Sequence, residues 1–77
     1  MIIRSQDKRK IIPLNQPVFI ETVADEWKIS TERYFLGTYS TEEKAVKVLD
    51  MIEDACRNVA FTDGVVFRMP ADEDVEV

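Results

Sequence analysis

The chain has 77 residues, of which 45% are hydrophobic and 32% charged, and a formal net charge of -5. That length holds one small domain, and that balance points to a globular chain rather than a disordered or membrane-embedded one. With no histidine and Cys56 as the single cysteine, the sequence offers no zinc cluster, no internal disulfide and neither Ser-His nor Cys-His nucleophilic catalysis.

In chain order, residues 2–4 and 10–14 are short apolar stretches around the polar run Ser5-Gln6-Asp7-Lys8-Arg9, which predicts a first hairpin. Pro13 lacks an N–H for a ladder, so the second of these strands belongs at a sheet edge, and Asn15-Gln16-Pro17 supplies the next turn. Val18 to Val23 is a β-branched and aromatic strand with Val18, Ile20 and Thr22 on one face and Phe19, Glu21 and Val23 on the other. After an Ala24-Asp25-Glu26 turn, Trp27 and Ile29, then Tyr34, Leu36 and Thr38, alternate as strand positions, and Ser30-Thr31-Glu32 between them is either a bulge or, the favoured reading, a turn between two short strands. Gly37 in the second of these is expected where the helix packs over it.

Ser40-Thr41-Glu42-Glu43 reads as a capping box, with Ser40 as the cap. From Thr41 to about Val59 the residues Ala45, Val48, Leu49, Ile52, Cys56 and Val59 recur at the spacing of one buried helix face. Glu43, Lys47, Asp50, Asp54 and Arg57 fall opposite, with Glu43–Lys47 and Lys47–Asp50 as candidate pairs. The helix is expected to end between Asn58 and Phe61, before a Thr62-Asp63-Gly64 turn, and a last strand runs from Val65 to Met69. The fold class read from this order is α+β: one antiparallel sheet of four to five short strands, one long helix on one face, and the last strand after the helix. Residues 1–69 form the domain, and residues 70–77, acidic and without a base, form a disordered tail.

That tail carries -4 of the net charge, while the first ten residues carry +3 through Arg4, Lys8, Arg9 and Lys10 against Asp7. A +3 segment is a modest signal for nucleic acid on a net acidic chain, so this is the second reading of function. The first is protein binding. One helix covers one sheet face, which leaves the other, with Phe19, Glu21, Val23, Phe35 and Tyr39 and also Val66, for a homodimer partner or a heterologous protein. Trp27, Tyr34, Phe35 and Tyr39 beside Lys28 and Arg33 could stack bases, but filling the core is the plainer use of alternating aromatics.

Paired carboxylates at Asp25-Glu26, Glu42-Glu43, Glu53-Asp54 and Asp72-Glu73-Asp74 lack the spacing of a cation loop, and Gly37 and Gly64 alone make no phosphate-cradling loop. Cys56 on the apolar helix face is read as core. No enzyme activity, cofactor or metal is expected. With no apolar run near 18 residues and no secretory pattern in Met1-Ile2-Ile3-Arg4, a cytoplasmic location is expected, without membrane partners.

Three blocks carry a resemblance: the opening Met1-Ile2-Ile3-Arg4-Ser5-Gln6-Asp7-Lys8, the passage Leu36 to Ala45 followed by Val48-Leu49-Asp50, and the ending Val66-Phe67-Arg68-Met69-Pro70. In these the chain resembles small uncharacterised proteins encoded by phages, prophages and mobile elements of Gram-positive bacteria. The resemblance implies an accessory protein and brings no catalytic residue with it.

Overall fold

The computed structural model describes residues 1–57 and 66–77. β1 (Ile2–Arg4) and β2 (Ile11–Pro13) pair antiparallel, with Ile3 opposite Ile12 and both side chains buried. The turn between them is built from its own polar residues. The Ser5 hydroxyl donates to Asp7 Oδ1 at 2.6 Å and accepts from the Lys10 amide at 3.1 Å, while the Arg9 amide donates to Asp7 Oδ1 at 2.9 Å. Lys8 sits in the left-handed region at φ 67°, and the Arg4 guanidinium holds its carbonyl through Nε and Nη2 at 3.3 and 3.0 Å. Hydrogen bonds from the Ser5 hydroxyl and the Arg9 amide, with the charge of Lys10 beyond them, hold the Asp7 carboxyl below its ordinary pKa.

β3 (Phe19–Val23), β4 (Glu26–Ser30) and β5 (Phe35–Tyr39) form an antiparallel meander. Ala24 and Asp25 both take positive φ, 51° and 65°, the conformation of a two-residue turn that matches strand twist. Register fixes the faces, since directly opposed residues share one. Ile20, Ile29 and Gly37 lie in one row on the core side, and Thr22, Trp27 and Tyr39 in the next. An irregularity between Ile29 and Ser30 places Ser30 opposite Phe35, so Phe35 points outward with Phe19 and Lys28. Thr31 closes the link between these strands by accepting from the Tyr34 amide at 3.0 Å.

α1 (Glu42–Arg57) buries Ala45, Val48 and Ile52 against β4 and β5, with Leu49 partly buried beside them. β6 (Val66–Arg68) then returns to lie parallel to β1. The buried cluster draws Ile3 and Ile12 from the first sheet, Ile29, Leu36 and Tyr39 from the second, the helix residues, and Met69 and Val75.

Several expectations are corrected. The strands do not form one antiparallel sheet of four to five. There are two three-stranded sheets, β2-β1-β6 and β3-β4-β5, and the β1–β6 pairing is parallel. The split follows from β1 being paired on both sides, by β2 and β6, so that it has no edge left for the meander. The Leu14 amide continues the β1–β2 ladder one step past Pro13 by donating to the Met1 carbonyl at 3.0 Å, while Gln6, beyond the end of β1, takes the free edge of β5 by donating its amide to the Leu36 carbonyl at 2.7 Å. Gly37 faces this same residue rather than the helix: a Cβ placed there would stand 3.1 Å from Gln6 Cβ.

The helix cap moves by one residue. Thr41 Oγ1 accepts from the Lys44 amide at 3.2 Å, whereas the Ser40 amide and hydroxyl both go to Asp72. Cys56 is exposed rather than buried, although it keeps the i+4 spacing from Ile52, and its thiol lies 3.8 Å from Met1 Sδ. The helical ion pair among the described residues is Glu53–Arg57 at 3.5 Å rather than either expected pair. Val59, the helix end between Asn58 and Phe61, the Thr62-Asp63-Gly64 turn and Val65 lie outside the described residues.

The segment expected to be a disordered tail is folded against the domain. Asp72–Asp74 form a 3-10 turn, and Val75 is buried in the core cluster. Asp72 accepts from the Ser40 amide at 2.8 Å and from Lys44 Nζ at 3.3 Å, so one of the charges that make the segment polar supplies a tether. The Ser40 amide, then the Ser40 hydroxyl and Lys44, hold the Asp72 carboxyl below its ordinary pKa. Because the folded value is the lower one, this tether contributes above the unfolded pKa of about 3.9 and is lost as pH falls through the folded value. Asp72→Ala is expected to release the segment at neutral pH, with amide exchange at Val75 roughly tenfold faster or more while Val48 keeps its protection. Unchanged exchange at Val75 would show that apolar burial alone holds it.

Candidate functional site

Two surfaces collect the residues singled out by sequence. The first is the outer face of the β3-β4-β5 sheet. Phe19, Glu21 and Val23 stand opposite Ser30, Lys28 and Glu26, and Phe35 follows on β5. Val23 is 46% exposed and Phe35 40%, Glu21 is exposed and Phe19 half-buried. Lys28 Nζ lies over the Phe35 ring, 5.6 Å from its centroid, a cation–π contact between the middle of β4 and the start of β5. Tyr34, 39% exposed, adjoins it.

Tyr39 does not belong to this surface. It is 1% exposed on the core face, and its hydroxyl donates to the Pro70 carbonyl at 2.7 Å. Burial, and secondarily the charge of Asp72, push its phenol well above the ordinary range, so it is a neutral donor at all physiological pH. Trp27 shares the core face with it, so the four aromatics do not make one stacking platform.

The strand edges differ as much as the faces. β2 is three residues long and ends in Pro13, β5 is closed by Gln6, and β6 is three residues long. β3 is a five-residue edge strand with no proline, and among the described residues nothing pairs with its outer side. Its free N–H and C=O groups therefore lie beside the outer patch.

The second surface is the basic turn. Arg4, Lys8, Arg9 and Lys10 do cluster, but in two groups. Lys10 points to Asp7 at 3.9 Å, and Arg9 is exposed on the turn. Arg4 and Lys8 instead line a cleft of about 160 Å³ together with Ser5, Arg68 and Met69. Arg68 has no place in a sequence reading of the basic segment, because it lies in the last strand. The parallel register that sets Arg4 beside Arg68 brings it there.

Among the described residues no group of histidine, cysteine and carboxylate side chains is arranged to hold a metal ion. No described helix is long and apolar enough to cross a membrane. Comparison with protein-family models, curated proteins and solved structures finds no match.

Proposed function

We propose that the protein is a non-enzymatic binding module that takes an extended segment of a heterologous protein as a fourth strand on β3. The observation that carries this reading is the unpaired edge of β3 next to an outward apolar patch of Phe19, Val23 and Phe35. Strand addition supplies main-chain hydrogen bonds for affinity, and alternating side chains supply selectivity. The segment that fits has apolar residues opposite Phe19 and Val23 and a base opposite Glu21, since cross-strand pairs of that kind contribute about 0.2 to 1 kcal/mol each.

A second copy fits less well than a heterologous strand. Full antiparallel overlap of β3 with itself sets Glu21 against Glu21, and registers that avoid this shorten the pairing. The resemblance to mobile-element proteins accords with an accessory role of this kind, in which a small domain occupies the surface of another protein.

Selection of random dodecapeptides on the full chain tests the reading. Enriched peptides are expected to alternate apolar and polar residues around a lysine or arginine, and to shift the backbone amides of Phe19–Val23. Phe19→Lys and Val23→Lys, at exposed or half-exposed positions, are expected to weaken them by at least about tenfold. Failure to enrich any sequence, perturbation centred elsewhere, or sedimentation showing a dimer closed through β3 would overturn it.

A further inference from the structure

We infer that the cleft between the first turn and β6 is a binding site for a phosphate dianion, held by Arg4, Lys8 and Arg68. This site is independent of the β3 edge and of the function proposed for it.

Three features on different parts of the chain converge here. The β1–β6 register sets Arg4 and Arg68 directly beside one another, on neighbouring strands about 4.8 Å apart, with side chains on the same face. Two like charges so placed repel each other. Yet no carboxylate among the described residues lines the cleft, and no ion pair among the described residues includes Arg4, Lys8 or Arg68. The nearby acid in sequence, Asp7, is turned into its own loop by the Ser5 hydroxyl and the Arg9 amide. The Lys8 backbone is held at the cleft: it takes a left-handed conformation, with the carbonyl accepting from Arg4 Nε and Nη2. Met69, which also lines the cleft, is 5% exposed, and its amide donates to the Arg4 carbonyl at 3.0 Å. The cleft is thus a concavity of about 160 Å³ lined by three cationic residues. An oxyanion with two charges relieves the repulsion between the arginines and offers acceptors to all three donors.

The size and the setting select a compact phosphoryl group over an extended polyanion. Arg9 and Lys10 do not line the cleft, so the site offers three cationic residues in one concavity rather than a continuous basic track that neutralises successive phosphates of a nucleic-acid backbone. A terminal phosphate, free or on a monoester, meets only the cleft.

The experiment is a titration of the isotope-labelled full chain with sodium phosphate, run against sodium chloride at matched ionic strength. Saturable amide shifts at Arg4, Lys8 and Met69 are expected with phosphate alone. Arg68→Gln and Arg4→Gln are each expected to weaken binding roughly tenfold or more, the size of one lost charge-assisted hydrogen bond. Lys47→Gln, on the helix, is expected to leave it unchanged. Arg68 is exposed and makes no hydrogen bond through its side chain among the described residues, so its variant decides the matter even if Arg4→Gln fails to fold. A second arm compares a decanucleotide bearing a 5′-phosphate with the same strand ending in a 5′-hydroxyl. Tighter binding of the phosphorylated strand supports the site. Equal binding of both strands, shifts reproduced by chloride, or affinity untouched by Arg68→Gln would overturn it.

Discussion

Ile29→Ala is expected to lower the unfolding free energy by about 2 to 5 kcal/mol, the range for truncating a fully buried isoleucine. Ile29 is 0% exposed at the centre of β4, the middle strand of its sheet, and α1 crosses that strand. Its surroundings cannot refill the space. On one side the register places Gly37, which has no side chain to swing in, and on the other Ile20, whose backbone is fixed by the same ladder. The upper half of the range is therefore expected, whereas Ile29→Val should lose about 0.5 to 1.5 kcal/mol. For a domain this small, total stability lies toward the low end of about 5 to 15 kcal/mol. Urea denaturation followed by far-UV circular dichroism should show the midpoint of the alanine variant falling by about half or more with unchanged slope. A loss below about 1 kcal/mol would mean that the helix is not packed on this strand as described.

What the sequence discloses and what it withholds divides by range. The β1–β2 hairpin, the edge position of Pro13, the meander from β3 to β5 and the Ala45–Val48–Ile52 stripe all follow from spacings of a few residues. Each is set by local chemistry that a neighbouring segment does not alter. The parallel return of β6 onto β1 joins Ile2 to Val66, and no local pattern marks it. That one pairing separates the sheets, places Arg68 beside Arg4, and so completes a cationic cleft of which the basic opening shows only part. Ser40 illustrates the same limit at a single residue. Ser40 and Thr41 are both good caps, and the choice between them is made by Asp72, thirty-two residues away, which takes the Ser40 amide and hydroxyl. Of the expected sheet-face residues, Tyr39 moves to the core because the register pairs it with Trp27, and its hydroxyl finds the Pro70 carbonyl only once the chain has returned. The acidic ending illustrates the reverse case: composition alone reads as disorder, whereas Asp72 on Ser40 and Lys44, the Pro70 carbonyl on Tyr39 and Gln6, and buried Val75 dock it.

Gln6→Ala is expected to cost about 2 to 4 kcal/mol, although the residue lies in a turn that sequence reading treats as polar filler. Its side chain works as a strand surrogate on the edge of β5. Oε1 accepts from the Thr38 amide at 2.9 Å, and Nε2 donates to the Thr38 carbonyl at 3.0 Å and to the Pro70 carbonyl at 3.2 Å. Alanine keeps the main-chain bond from the Gln6 amide to Leu36 but leaves the Thr38 amide and carbonyl without these partners, at about 1 to 3 kcal/mol for each group left unsatisfied and buried. Pro70 retains the Tyr39 hydroxyl, so the loss centres on β5 rather than on the chain end. Gln6→Glu separates hydrogen bonding from bulk: at pH 7 it can still accept from the Thr38 amide, but it turns an oxygen toward two carbonyls, so it should fail to rescue stability. Gly37→Ala provides the partner for a cycle. A methyl there would stand 3.1 Å from Gln6 Cβ, 3.3 Å from its Oε1 and 3.4 Å from its Cδ, an overpacking that typically costs about 1 to 3 kcal/mol. Removing the amide clears two of those three contacts, so the two substitutions should couple by about 0.5 kcal/mol or more, with the double variant more stable than the sum predicts. Strict additivity, or a Gln6→Ala loss under about 0.5 kcal/mol, would show that the Gln6 side chain adds nothing to the main-chain bond from its amide to Leu36 and that the edge of β5 needs no further clasp.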